Sequence, residues 1–253
     1  MADVLELLPP RWREDRMLLT DRARWDAVEV LGDDDGVLLV LGGADRPNLF
    51  GRGDPRVVDR LVAGLDRGAA RWMSVPRGSA PAPEVLDRLA LVPFSTWDWL
   101  STSVAPPADV PGERSVRRLD PVAEADAIRA CLGAANPGTS ADPTGPEEIG
   151  WWGVEVDGSL VGVVGAAERG GPGDARSWHV HGLGVLPGMR GTGMGTALTA
   201  AVTREGLAGG ASWVSLGMYA QNAGARRIYH RLGYRTEAEL TSFSPAGAER
   251  PPG

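Results

Sequence analysis

The feature that most limits how this chain can fold is the segment Leu183-Gly184-Val185-Leu186-Pro187-Gly188-Met189-Arg190-Gly191-Thr192-Gly193-Met194-Gly195-Thr196. Its first residues read as the end of a strand and Pro187-Gly188 as a turn. Beyond them Met194, Ala197, Leu198, Ala201 and Val202 recur at helical spacing, which predicts an amphipathic helix over about 191–207. Glycines in such a turn let several backbone N–H groups converge, and the helix N-terminus adds partial positive charge, so the segment suits an anion such as pyrophosphate. Arg190 can add a charge-assisted hydrogen bond from the rim. A dinucleotide site would want Gly-x-Gly-x-x-Gly with an acid about 20 residues on, whereas the spacing here is Gly-x-Gly-x-Gly. A glycine-rich turn of purely structural origin is the competing reading.

Composition narrows the chemistry. The 26 basic residues are all arginine, so mechanisms that need a Schiff-base lysine are closed to this chain. A net charge of −7 argues against a broad nucleic-acid surface, which needs clustered positive charge. The single cysteine, Cys131, excludes an intramolecular disulfide and a cysteine-based metal cluster. With no apolar run of membrane-spanning length and no basic-then-apolar start in MADVLELLPP, the expectation is a soluble cytoplasmic protein.

A Pro-rich stretch, Ala105 to Pro111, marks a linker and predicts two domains, 1–110 and 111–253. In the second, 113–119 can start a sheet, 121–132 reads as a short helix, and Asp157-Gly158 between apolar runs predicts a hairpin of 151–156 with 160–167. A further strand over 177–185 follows a Gly-rich turn. Strand 213–218 comes next, then a helix striped by Ala225, Ile228, Tyr229 and Leu232, capped by Asn222 and ended by Gly233. The first half carries a weaker copy of this ending: Arg71-Trp72-Met73-Ser74-Val75 resembles Ser212-Trp213-Val214-Ser215-Leu216, and Arg88-Leu89-Ala90-Leu91 resembles Arg231-Leu232-Gly233-Tyr234. In place of the arginine and glycines it has Asn48-Leu49-Phe50-Gly51-Arg52-Gly53-Asp54-Pro55, which predicts no cofactor there.

The loop resembles the signature of the GNAT superfamily of N-acetyltransferases, Arg/Gln-x-x-Gly-x-Gly/Ala after a Val-x-Pro turn, with Arg190, Gly193 and Gly195 in register. A second family block, Asn then Ala then Tyr on a helix ending in Gly-aromatic, matches Asn222, Ala225, Tyr229, Gly233 and Tyr234. The resemblance covers about Glu113 to Phe243. It implies an α/β (α+β) fold with a central mixed, mostly antiparallel sheet flanked by helices, in tandem with a degenerate N-terminal copy. It also implies acetyl-CoA as co-substrate, held by Leu183, Gly184, Val185, Arg190, Gly191, Thr192, Gly193, Met194, Gly195, Thr196, Asn222 and Ala225. The pantetheine arm would lie between the strands at 178–185 and 213–218, with backbone groups of Leu183 and Val185 on it. The acceptor would be a primary amine of a small molecule or peptide.

Acyl transfer to an amine needs a group to take the amine proton and one to protonate the departing thiolate. Tyr229 matches the family tyrosine and is the candidate acid. His179 and His181 are candidate bases, and simple alternation puts both on one strand face with Leu183 and Val185. Glu155 and Glu168 stand behind them. A ribosomal-protein N-terminal acetyltransferase would carry Glu five residues before Asn222, where this chain has Gly217, which weakens a protein N-terminus as acceptor. Trp151-Trp152 can line an acceptor pocket or fill the core; Asp142, Glu147 and Glu148 can draw in a cation or simply be solvated. His230 receives no role. No metal-ligand spacing is present, and a non-catalytic acyl-CoA sensor or partner-binding protein is the alternative function, as monomer or homodimer.

Overall fold

The computed structural model describes residues 4–22, 25, 28–42, 45–171 and 176–249. The Met1 end of the N-terminal stretch, and residues 172–175 of the Gly-rich turn before Ser177, lie outside them. The chain separates into two compact units: Met1–Trp99 with Met218–Gln221 and Thr236–Gly253, and Leu100–Gly217 with Asn222–Arg235. The units are therefore interleaved along the chain, where the sequence reading expects one cut after residue 110.

The second unit runs β6 (Arg117–Leu119), α5 (Ala125–Ala135), β7 (Glu148–Val156), β8 (Ser159–Arg169), β9 (Ser177–Val185), α6 (Met194–Ala208), β10 (Trp213–Tyr219, of which the residues to Gly217 belong to this unit) and α7 (Ala223–Arg231). Its strands lie in the order β10-β9-β8-β7-β6. The β7–β8 hairpin turns at Asp157 and Gly158, both with positive φ (51° and 76°), the geometry that Asp-Gly favours. β9 and β10 are parallel because α6 carries the chain back over the sheet between them; the other pairs of this unit are antiparallel. Both faces of the sheet are covered. On one, Ile128, Cys131 and Leu132 of α5 pack with Leu119, Trp151 and Val163. On the other, the Trp152 indole donates to Glu205 Oε2 of α6 at 2.7 Å and its ring lies 5.8 Å from that of Trp178.

The first unit runs α1 (Val4–Leu7), α2 (Arg16–Asp21), β1 (Glu29–Gly32), β2 (Gly36–Leu41), β3 (Asn48–Gly53), α3 (Pro55–Ala63), β4 (Trp72–Pro76) and α4 (Pro83–Leu89), and β5 (Val92–Thr102) begins in it. Strands β1-β2-β3-β4 are joined by β11 (Arg235–Ser244), which pairs antiparallel with β4. Again the strand–helix–strand step, β3-α3-β4, gives the parallel pair. Alternate residues of β2 feed two cores, Leu38 and Val40 under α3 and α4, and Val37 and Leu39 beneath Leu8, Trp12 and Leu18. No described helix is long and apolar enough to cross a membrane.

Candidate active site

The β9–α6 connection is built as its glycines require. Gly191 and Gly193 hold φ of 80° and 92°, and Gly193 precedes the first helical residue with no side-chain cap. The N–H groups from Gly191 to Thr196 donate to no described group, so a run of amides and a helix N-terminus face open space. Nothing lies within 4 Å of where a Cβ would sit on Gly188, Gly191 or Gly193. Arg190 braces the loop: its Nε donates to the Val185 carbonyl at 3.2 Å and Nη2 to the Ala135 carbonyl at 2.9 Å, which leaves Nη1 for an incoming anion. Thr192 Oγ1 closes the turn on the Met189 carbonyl.

The parallel pairing of β9 with β10 ends at Val180 and Leu216, yet β9 continues to Val185 and β10 to Tyr219. From His181 onward the β10 side of β9 is therefore without a ladder partner in this unit. The register with β8 slips here as well: Gly165 faces His181 while Val163 faces Gly184, so β9 carries an extra residue. The bulge centres on Gly182, whose φ is 59° and whose Cβ, if present, would meet Trp151 Cη2 at 2.7 Å. Glycine is required there on both counts.

That bulge corrects one expectation. His181 meets Gly165 and Trp151 on the α5 face, and Gly184 abuts Ala135 of α5, whereas Val185 turns to Gly195 on α6. His179 and His181 thus lie on the face opposite Val185. A period of two cannot be carried through an inserted residue. The Leu183 carbonyl accepts from Asn136 Nδ2 at 3.5 Å, so the end of α5 is tied to the bulge, a contact that no sequence pattern announced.

The two histidines differ in their partners. His179 Nδ1 sits 3.0 Å from the buried Ser215 Oγ on β10. His181 Nε2 lies 3.0 Å from Glu148 Oε1, off the axis of an aligned hydrogen bond, and its ring packs edge-on to Trp151 at 5.5 Å. The acids held in reserve are engaged elsewhere: Glu155 with Arg117 and Glu168 with Arg176. Asp142 forms a bidentate pair with Arg129, which with Thr144 holds its carboxyl below the usual carboxylate range. Trp151 and Trp152 are both core residues, 0% and 2% exposed.

Asn222 caps α7, its Oδ1 accepting from the Ala225 N–H at 3.1 Å, and Gly233 ends the helix region at φ 93°. Tyr229 on this helix is buried, and its hydroxyl makes no hydrogen bond to a described group. Desolvation pushes its pKa up to about 12. Its neighbour Tyr234, 5.9 Å away ring to ring, is instead satisfied by Thr203 Oγ1 at 2.7 Å. Among the described residues no group of three His, Cys, Asp or Glu side chains is placed to hold a metal ion.

The loop, the bulged strand and the capped helix all fall inside 126–234, the segment that matches the acetyltransferase (GNAT) family. That segment is a GNAT acetyltransferase domain. No curated relative matches the chain. Solved structures carry the GNAT likeness over both units: a GNAT-family acetyltransferase from Novosphingobium aromaticivorans is 24% identical, with 93% of this chain and 95% of that one covered at a TM-score of 0.55. A GCN5-related N-acetyltransferase from Kribbella flavida is 21% identical, covering 93% and 96% at 0.57. One from Sphaerobacter thermophilus is 17% identical, covering 88% and 83% at 0.54. At these identities what is shared is the GNAT fold.

Proposed function

We propose that the protein transfers an acetyl group from acetyl-CoA to a primary amine of a small molecule or peptide, by direct attack and without a covalent enzyme intermediate. The observation that carries this is the run of unbonded amides from Gly191 to Thr196 at the start of α6, beside a strand whose ladder has parted from β10. The amides and Arg190 Nη1 suit pyrophosphate, and the gap beyond Val180 suits an extended pantetheine arm. Acetyl-CoA supplies the acetyl group as an activated thioester. Between the candidate bases the geometry favours His181, since His179 is committed to Ser215. Tyr229 is the acid: a buried, unbonded hydroxyl held protonated by desolvation can give its proton to a departing thiolate. Asn222 and Ala225 serve this site by fixing the start of Tyr229's helix.

We propose further that the first unit is a degenerate copy without a cofactor site, and that the protein works in the cytoplasm. The element order β1-β2-β3-α3-β4-α4-β5 repeats as β7-β8-β9-α6-β10-α7-β11. At the first-unit counterpart of the loop, the Asp54 carboxylate accepts from the N–H groups of Arg56 and Val57, so the helix end already holds an anion of its own. Release of free thiol from acetyl-CoA across a broad amine panel tests the main reading. Amine-dependent release is expected; tight binding with no release would make the protein an acyl-CoA sensor.

A further inference from the structure

We propose that Glu148 is a positioning residue for the reaction: it holds His181 with the ring proton on Nε2, so that Nδ1 is the nitrogen that takes the proton of the attacking amine. This role rests on the acetyltransferase reading above.

The case starts from burial. The Glu148 side chain is 12% exposed and that of His181 21%, and Glu148 Oε1 lies 3.0 Å from Nε2. Oε2 is enclosed and has no hydrogen-bond donor, so no other group competes for this carboxylate. Nε2 is enclosed too, whereas Nδ1 is neither enclosed nor bonded to a described group. A carboxylate against Nε2 favours the neutral tautomer with the proton on that nitrogen and leaves the lone pair on Nδ1. The Nε2 contact is off-axis here, and such bonds often align only once substrate is bound.

The surroundings leave the pair to itself. Arg169 on β8 is paired with Glu147, Arg129 on α5 with Asp142, and His179 with Ser215. Cys131 of α5 is buried, which pushes its thiol pKa up and keeps it neutral. The strand bulge contributes by turning Gly182 against Trp151, whose ring in turn flanks His181. In the reaction, the amine proton passes to Nδ1, the nitrogen–carbon bond forms, the carbon–sulfur bond breaks, and the thiolate takes the Tyr229 proton.

The test reads the imidazole nitrogens and turnover together. In ¹⁵N-labelled resting protein, with the His181 signals assigned through His181→Gln, neutral His181 is expected in the Nε2–H tautomer. Glu148→Ala should give a mixture of both tautomers. With acetyl-CoA and an amine that supports thiol release, Glu148→Ala should lower kcat about tenfold and leave acetyl-CoA affinity unchanged. Glu148→Gln, close in volume, checks that the loss is not one of folding. The double variant Glu148→Ala/His181→Gln should be no slower than His181→Gln alone, because residues acting as a unit are not additive. An unchanged tautomer in Glu148→Ala, or losses that multiply in the double variant, would overturn the role of Glu148 while leaving acetyl transfer intact. Acetyl-CoA binding with no amine-dependent thiol release in the unmodified protein would instead overturn the transferase reading, and this role with it.

Discussion

Tyr229 is covered on nearly all sides, and its pKa, pushed up to about 12 by desolvation, keeps the hydroxyl protonated at neutral and mildly alkaline pH. Tyr229→Phe keeps the ring and its buried area but deletes the proton. Single-turnover transfer should fall by roughly 10²-fold, with acetyl-CoA affinity and Tm nearly unchanged. Equal rates would remove Tyr229 from the mechanism. The same shift has a stability consequence. The folded pKa lies above the ordinary value of about 10, so the folded state holds its proton longer than the unfolded chain does. The resulting stability is fully present below pH 10 and is lost as pH rises toward 12. Urea midpoints measured across that window should decline more steeply for the unmodified protein than for Tyr229→Phe. At this scale the sequence was legible where a residue's job is local: Asn222 as a cap and Tyr229 on its stripe follow from spacing alone. The pairing of His181 with Glu148 was not, because the acid run before Trp151 reads as loop and only the ladder to β8 draws Glu148 into a strand.

At the scale of elements, the β9–α6 loop and the bulge carry the proposed function. Gly193 sits at φ 92°, so any side chain there is strained whatever it does to a ligand, and Gly195 is the cleaner position to probe. Its backbone is helical and a Cβ would meet only Val185 Cγ2 at 3.9 Å. Gly195→Val should fold normally and weaken acetyl-CoA binding by more than about tenfold, or about 1.4 kcal/mol, in a calorimetric titration. Unchanged affinity would remove the loop from the cofactor site. Strand, turn and helix were all readable here from periodicity and glycine spacing, whereas the bulge was not, since nothing in Trp178 to Val185 breaks the alternation until β8 fixes the register. The helix ends offer another test. Ala90 follows α4 in the left-handed conformation at φ 54°, the place where Gly233 follows α7 at 93°. Alanine pays a steric cost there that glycine does not, so Ala90→Gly should stabilise the protein by about 0.5–1 kcal/mol in denaturant unfolding. A loss of stability would contradict the left-handed assignment.

For the whole molecule, the repeated element order explains why the linker at 105–111 is a poor guide to the compact units. Sequence marks a linker there, but β11 at the far end of the chain hydrogen-bonds to β4, a long-range pairing that no local signal encodes. The two units also differ in what their helix ends can hold: α3 is capped by Asp54, and α6 is bare. Calorimetry should accordingly find a single saturable acetyl-CoA site per chain, and a second equivalent site would refute the degenerate reading of the first copy. The most direct test of the account follows the acetyl group itself. With acetyl-CoA carrying a ¹³C-labelled carbonyl, NMR of the protein mixed with a panel of primary amines should show the thioester carbonyl signal replaced by an amide signal for at least one amine. The change should be lost in Gly195→Val at the same cofactor concentration. A thioester signal that persists with every amine while the protein stays saturated with acetyl-CoA, or that passes only to free acetate, would contradict it.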